Sequence, residues 1–200
     1  MSWMSFVQPL LFSVAGLLVG CLTDRALRRF VPSWRPVGLP IVTSCMWAVG
    51  AMVGAGTATF AFLSWCACLT CIDVGSRRLP NLLTAAGAVA VLVYAATVDG
   101  LGAALVGGTG LFCCYLTVHV GLPAAFGAGD VKLAFALGAV AASVGTDAWV
   151  AAALLAPLLT GVTGLVFAAL QRHGSGACRS VPHGPSMCLA TLLVMAAPMA

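Results

Sequence analysis

From Gly38 to Ile72 the chain carries no charged side chain, and Asp73 closes this run of 36 residues. As a single helix at 1.5 Å per residue it would measure roughly 54 Å, whereas the apolar core of a bilayer is about 30 Å thick. The run has to fold back on itself, and Gly54-Ala55-Gly56-Thr57 is the best place for the turn. The whole chain has this character: 62% of its 200 residues are hydrophobic and 7% are charged, where soluble domains carry about 25% charge. The expected fold class is all-α, a polytopic membrane helix bundle embedded in a lipid bilayer. A net charge of +4 does not point to nucleic acid, because the nine Lys and Arg residues are scattered among short loops instead of lining one face.

Reading the apolar runs in order gives about eight transmembrane helices. Trp3 to Thr23 is long enough to cross, and the basic cluster Asp24-Arg25-Ala26-Leu27-Arg28-Arg29 follows it, as does Arg35. A secretory signal would carry its basic residues first, so this is read as a retained helix with its N-terminus outside. Two passes within Gly38 to Asp73 return the chain to the inner side at Arg77 and Arg78. Pro80 suits the first turn of a helix, and Asn81 to Val98 supplies the fourth span. Leu101 to Val120, a helix opened by Asp130, Trp149 to Leu170 and a last segment after Pro185 complete the set. Both termini then lie outside, all nine Lys and Arg residues lie inside, and Asp99 and Asp147 lie outside. That split is what the positive-inside rule predicts.

The nine cysteines do not suggest a disulfide framework. All but Cys178 lie in or beside apolar runs, where cysteine behaves as a small hydrophobe. Cys68-Leu69-Thr70-Cys71 has metal-ligand spacing, yet it has no second pair or nearby histidine to complete a tetrahedral site, so no metal and no cofactor is expected. Gly16 and Gly20 have the spacing that lets membrane helices approach closely, as do Gly50 and Gly54, and both are read as packing within the chain. Trp3, Trp34, Trp65 and Trp149 are read as interfacial anchors and Trp47 as packing. His119 and His173 are read as interfacial, and Asp24 as a partner for Arg25 or Arg28.

Two acids remain. Asp73 ends the third predicted helix and Asp130 begins the sixth, with two complete spans between them, so the topology puts both at one membrane face. Ionisable groups near the apolar zone are costly and are usually paired or functional. Two carboxylates sharing a proton and a water are the minimal apparatus of an aspartic protease. Asp130, at a helix N-terminus with Lys132 nearby, suits the charged base; Asp73, at a helix C-terminus, suits the protonated acid, although Arg77 and Arg78 oppose that half of the assignment. Gly127 and Gly129 allow backbone conformations and close approaches that other residues resist.

Ile72-Asp73 with Arg78-Leu79-Pro80-Asn81, then Gly127-Ala128-Gly129-Asp130-Val131-Lys132-Leu133-Ala134, then Val181-Pro182-His183-Gly184-Pro185, resembles the prepilin peptidases. These are the type IV leader peptidases of the GxGD aspartic protease class. The resemblance runs from about Leu39 to the C-terminus and divides the chain into 1–37, a first transmembrane helix with a basic cytoplasmic loop, and 38–200, the peptidase membrane domain. It implies an endopeptidase of the bacterial inner membrane that cuts basic leaders from prepilin or pseudopilin precursors at the cytoplasmic face, after a glycine, with Asp73 and Asp130 as the catalytic pair. Full-length members carry a zinc-binding cytoplasmic domain with N-methyltransferase activity after the first helix. Here Arg35 to Pro40 leads straight to the next helix, so the expectation is peptidase activity without zinc, and methyl transfer is disfavoured. His183 stands where the family usually has phenylalanine, a change at a structural turn that should leave catalysis intact.

Three other readings compete. A presenilin-type protease that cuts within transmembrane helices shares the motif at Asp130, but it has a Tyr-Asp pair at the other acid, where this chain has Ile72-Asp73, and a Pro-Ala-Leu motif that is absent here. A proton-coupled carrier would place its acids near the midplane within inverted repeats, and no internal repeat is visible. An inactive assembly factor would have no need for both aspartates and both glycines.

Overall fold

The computed structural model describes residues 4–30, 36, 38–123, 127–171 and 181–197. Among these are eight α-helices and no strand: α1 (Met4–Phe30), α2 (Leu39–Met52), α3 (Thr57–Ser76), α4 (Asn81–Thr97), α5 (Leu101–Gly121), α6 (Ala128–Val144), α7 (Thr146–Gln171) and α8 (Gly184–Ala196). Four contain stretches long and apolar enough to cross a bilayer: Val7–Arg29, Thr57–Ser76, Leu101–Gly121 and Thr146–Leu170. The all-helical membrane bundle expected from the sequence is what is found. Helices α2, α4 and α8 are shorter apolar helices, of 14, 17 and 13 residues. Expectations about Trp3, Trp34, Arg35, Arg172, His173, Cys178 and Arg179 fall outside the described residues.

The chain divides into two compact units, Met1–Arg77 and Arg78–Ala200. In the first, α1 packs along α2, and α2 along α3. The α1–α2 contact is close because of two glycines. A Cβ at Gly16 would lie 2.8 Å from Trp47 Cβ, and one at Gly20 would lie 2.6 Å from Pro40 Cα. The rings of Phe12, Trp47 and Phe60 pack together, with Phe12 stacked on Phe60 at 4.6 Å. Trp47 Nε1 donates to Ser64 Oγ at 2.9 Å, which gives its polar edge a partner inside the apolar contact. Gly54, with φ +72, makes the turn between α2 and α3, where the sequence predicted it.

One boundary differs from expectation. Helix α1 does not stop at Thr23 but runs to Phe30. Its basic cluster is made of good helix formers, and Arg28 Nε donates to Asp24 Oδ2 at 2.8 Å across one turn. Asp24 thus has the local partner expected of it.

In the second unit, α6 packs against α4, α5, α7 and α8. Leu133, Ala134, Ala136, Leu137 and Ala139 on it are buried. The α5–α6 contact is the tightest. A Cβ at Gly107 would meet Ala142 Cβ at 2.1 Å and the Gly138 carbonyl at 2.8 Å, and one at Gly108 would meet the Phe135 carbonyl at 2.8 Å. Trp149 is half-buried here and donates Nε1–H to the Gly107 carbonyl at 2.9 Å. It therefore packs α7 onto α5, a tertiary role that the expected interfacial one does not describe.

Candidate active site

Asp130 is the third residue of α6, and Gly127 is the N-cap. The first N–H groups of a helix have no partner within it. Here the side chain supplies one: Gly127 N–H donates to Asp130 Oδ2 at 2.9 Å. This is one half of a capping box, since glycine has no side chain with which to make the other half. The carboxylate is buried and held at the positive end of the helix dipole. Both the dipole and the accepted hydrogen bond favour its charged form.

The two glycines act through close approach. Gly127 has φ −74 and ψ 155, an extended conformation open to any residue, but a Cβ there would lie 3.3 Å from Asp130 Oδ2. A Cβ on Gly129 would lie 2.9 Å from Leu79 Cβ and 3.5 Å from the Leu79 nitrogen. Of the two properties that the sequence suggested for these glycines, the structure uses the second. They let the mouth of α6 sit against its own carboxylate and against the segment that leads into α4.

Lys132 is exposed, and its ammonium donates to Asn81 Oδ1 at 2.8 Å, which ties the first turn of α6 to the first residue of α4. Lys132 therefore makes its side-chain hydrogen bond to Asn81, and any support it gives Asp130 is through charge at a distance. Residues two apart on a helix do not face each other, and its ammonium is engaged with Asn81.

Asp73 lies in the other unit, in the last turn of α3, and is buried. Its carbonyl accepts the Arg77 N–H at 2.8 Å, and Arg77 caps the helix in the left-handed conformation, φ 52. Each aspartate is thus described within its own unit, at the helix end that the sequence assigned to it. Cys68 and Cys71 lie buried on α3 as free thiols.

Sequence reasoning missed a polar cluster in the second unit. His183, the N-cap of α8, is buried, and its two ring nitrogens meet Tyr115 Oη of α5 at 3.0 Å and Thr160 Oγ1 of α7 at 2.6 Å. Burial pushes its imidazole down to about 4. The signal is present in part: Tyr115 is one of two tyrosines in the chain, and His183 one of three histidines. Nothing in the sequence indicated that they meet.

A family model described as the type IV leader peptidase family matches residues 60–169. The match contains α4, α5 and α6 whole, and with them both aspartates and both glycines. No curated protein and no solved structure matches the chain.

Proposed function

Because the chain belongs to the type IV leader peptidase family, we propose that it is a membrane aspartic endopeptidase that removes the basic leader of prepilin or pseudopilin precursors. On this reading it sits in the bacterial inner membrane with 38–200 as the peptidase domain, and it cuts after a glycine at the cytoplasmic face. Asp73 and Asp130 form the catalytic pair. The observation that carries the reading is the setting of Asp130, a buried carboxylate fixed at a helix mouth by the Gly127 N–H and packed in by two glycines.

The chemistry follows from two carboxyl groups in opposite protonation states. Asp130, ionised, takes a proton from water as the water oxygen bonds to the scissile carbonyl carbon. Asp73, protonated, gives its proton to the carbonyl oxygen, and the charge of a tetrahedral oxyanion is avoided. When the C–N bond breaks, the proton held on Asp130 passes to the leaving amine and Asp73 recovers its own. The fixed cap of Asp130 favours the base role, because it stabilises the anion before the water arrives.

The test is cleavage of a co-expressed prepilin with a glycine-containing basic leader, read by mass spectrometry of the new N-terminus. Wild type should cleave after the glycine, and Asp73→Asn and Asp130→Asn should each lose roughly 10²–10⁴-fold in rate. Normal cleavage by either variant would remove the pair as the catalytic groups, whereas a wild type that does not cleave would favour a carrier or assembly role. Cleavage within the transmembrane helix of the substrate would favour the presenilin-like alternative.

A further inference from the structure

We propose that Arg25 and Arg29 of α1 bind the phosphate of one anionic phospholipid, whose acyl chains lie along the apolar outer face of the same helix. The site depends only on the membrane bundle and is independent of the peptidase reading.

The depth of the two arginines follows from the length of α1. Its 27 residues measure about 40 Å, whereas the apolar core of a bilayer is about 30 Å thick and takes up about 20 residues. With the span ending near Thr23, the residues from Asp24 to Phe30 continue the helix about 10 Å beyond the core. Arg25 and Arg29 then stand roughly 3 Å and 9 Å past that end. The polar headgroup layer on each side of the core is about 5–8 Å deep. The two guanidinium groups bracket it.

The face they occupy follows from helix geometry. Gly16 lies against Trp47 and Gly20 against Pro40, which fixes the side of α1 that packs on α2. Leu11, Val14, Leu18, Leu22, Arg25 and Arg29 are spaced by three or four residues, so they fall within an arc of roughly 80° on the opposite side. All six are exposed. An apolar strip three turns long thus ends in two cations on one line.

The charges on this part of α1 are unevenly shared. Arg28 Nε donates to Asp24 Oδ2 at 2.8 Å, and the other oxygen of Asp24 is buried. The nearby acid is therefore turned inward and matched by Arg28. Among the described residues no hydrogen bond or ion pair engages Arg25 or Arg29. Like charges at i and i+4 are neighbours on a helix and destabilise it, and an anion placed between them removes that cost. Guanidinium is suited to the task, because its planar fork of N–H donors matches phosphate oxygens.

One chemistry satisfies both parts of the face. A soluble anion would use the arginines and leave the apolar strip unmatched, and a zwitterionic lipid would fill the strip but bring its own cation to the arginines. A phospholipid with net negative charge supplies hydrocarbon along Leu11 to Leu22 and an oxyanion at Arg25 and Arg29. Basic residues beside a membrane helix are attracted to such headgroups.

The experiment uses the full chain, delipidated in detergent micelles: wild type, each single Arg→Gln variant at positions 25 and 29, the double Gln variant and the double Lys variant. Phosphatidylglycerol, phosphatidylcholine and glycerol phosphate are titrated separately, with binding read by native mass spectrometry and by amide hydrogen exchange of residues 24–30. Wild type should retain one phosphatidylglycerol in preference to phosphatidylcholine, and exchange in 24–30 should slow only with the former. Each Gln substitution should weaken phosphatidylglycerol binding about fivefold and the two together about thirtyfold. The double Lys variant keeps the charge without the fork and should fall between wild type and double Gln. Both arginines are exposed, so unfolding without lipid should be unchanged in every variant. Equal binding of the two lipids, an undiminished affinity in the double Gln variant, or a double Lys variant equal to wild type would overturn the proposal. So would displacement of phosphatidylglycerol by glycerol phosphate at comparable concentration, which would mark a soluble-anion site instead.

Discussion

The ammonium of Lys132 is bonded to the side-chain oxygen of Asn81 at 2.8 Å, across 51 residues of sequence. It joins the two helix starts that flank the candidate site. The bond is exposed, and exposed charged contacts contribute less than about 1 kcal/mol. A double-mutant cycle of Lys132→Met and Asn81→Ala, read by thermal unfolding in micelles, should give a coupling in that range. Prepilin cleavage should fall only a few-fold in either variant. A coupling above 2 kcal/mol would mean that the pair anchors α6 more firmly than its exposure allows.

Gly129 makes a sharper prediction. A methyl there would meet Leu79 Cβ at 2.9 Å, a contact with the rigid base of a side chain and not with a flexible end. Gly129→Ala should destabilise the protein by about 1–3 kcal/mol and displace Asp130, with a loss of cleavage larger than the loss of folded protein. Leu79→Ala keeps the offending Cβ and should not rescue it, whereas Leu79→Gly should do so in part. Rescue by Leu79→Ala in a cleavage assay would show that the clash lies elsewhere. Gly127→Ala, by contrast, has an ordinary backbone and should fold normally while crowding Asp130 Oδ2 at 3.3 Å.

Much of this was legible in the sequence because length and charge leave few choices. A run of 36 residues cannot cross a bilayer once, so the turn at Gly54 was readable, and a carboxylate behind two glycines announced the mouth of α6. What was not legible depends on which helix faces meet. The helices are apolar all round, which hides the side of a helix that turns inward, and so the meeting of Tyr115, Thr160 and His183 had no signature. The extension of α1 to Phe30 is hidden from hydropathy by its basic cluster, although those residues favour helix and Asp24 and Arg28 pair along it. The direction of Lys132 was available from helix geometry alone, since it lies two residues from Asp130.

His183 gives stability a pH dependence whose sign is fixed by burial. Its imidazole titrates near 4 in the folded chain against 6.5 ordinarily. Above about 6.5 neither state binds the proton, and the full stability is present. As pH falls below that, the unfolded chain takes up a proton that the folded ring refuses, and stability declines until the folded ring also titrates near 4. The loss across this window is on the order of 3 kcal/mol. Unfolding followed in nanodiscs between pH 7 and pH 4 should show it, and His183→Phe should flatten the curve. An equal slope in both proteins would assign the effect to other groups.

The glycines of α5 and α7 should respond in opposite directions. Gly107 is enclosed: a methyl would fall 2.1 Å from Ala142 Cβ and 2.8 Å from the Gly138 carbonyl, and the carbonyl belongs to backbone that cannot turn aside. Gly107→Ala should therefore lie at the upper end of the 1–3 kcal/mol typical of overpacking, or beyond it. Ala142→Gly should recover only part, because the carbonyl contact remains. Gly161, within α7, has nothing within 4 Å of the same added methyl. There alanine removes only the conformational freedom that glycine loses on folding, and the gain should be about 0.5–1 kcal/mol. Thermal unfolding of the three variants measures both effects at once, and a destabilised Gly161→Ala would indicate that this face of α7 is covered by a neighbour.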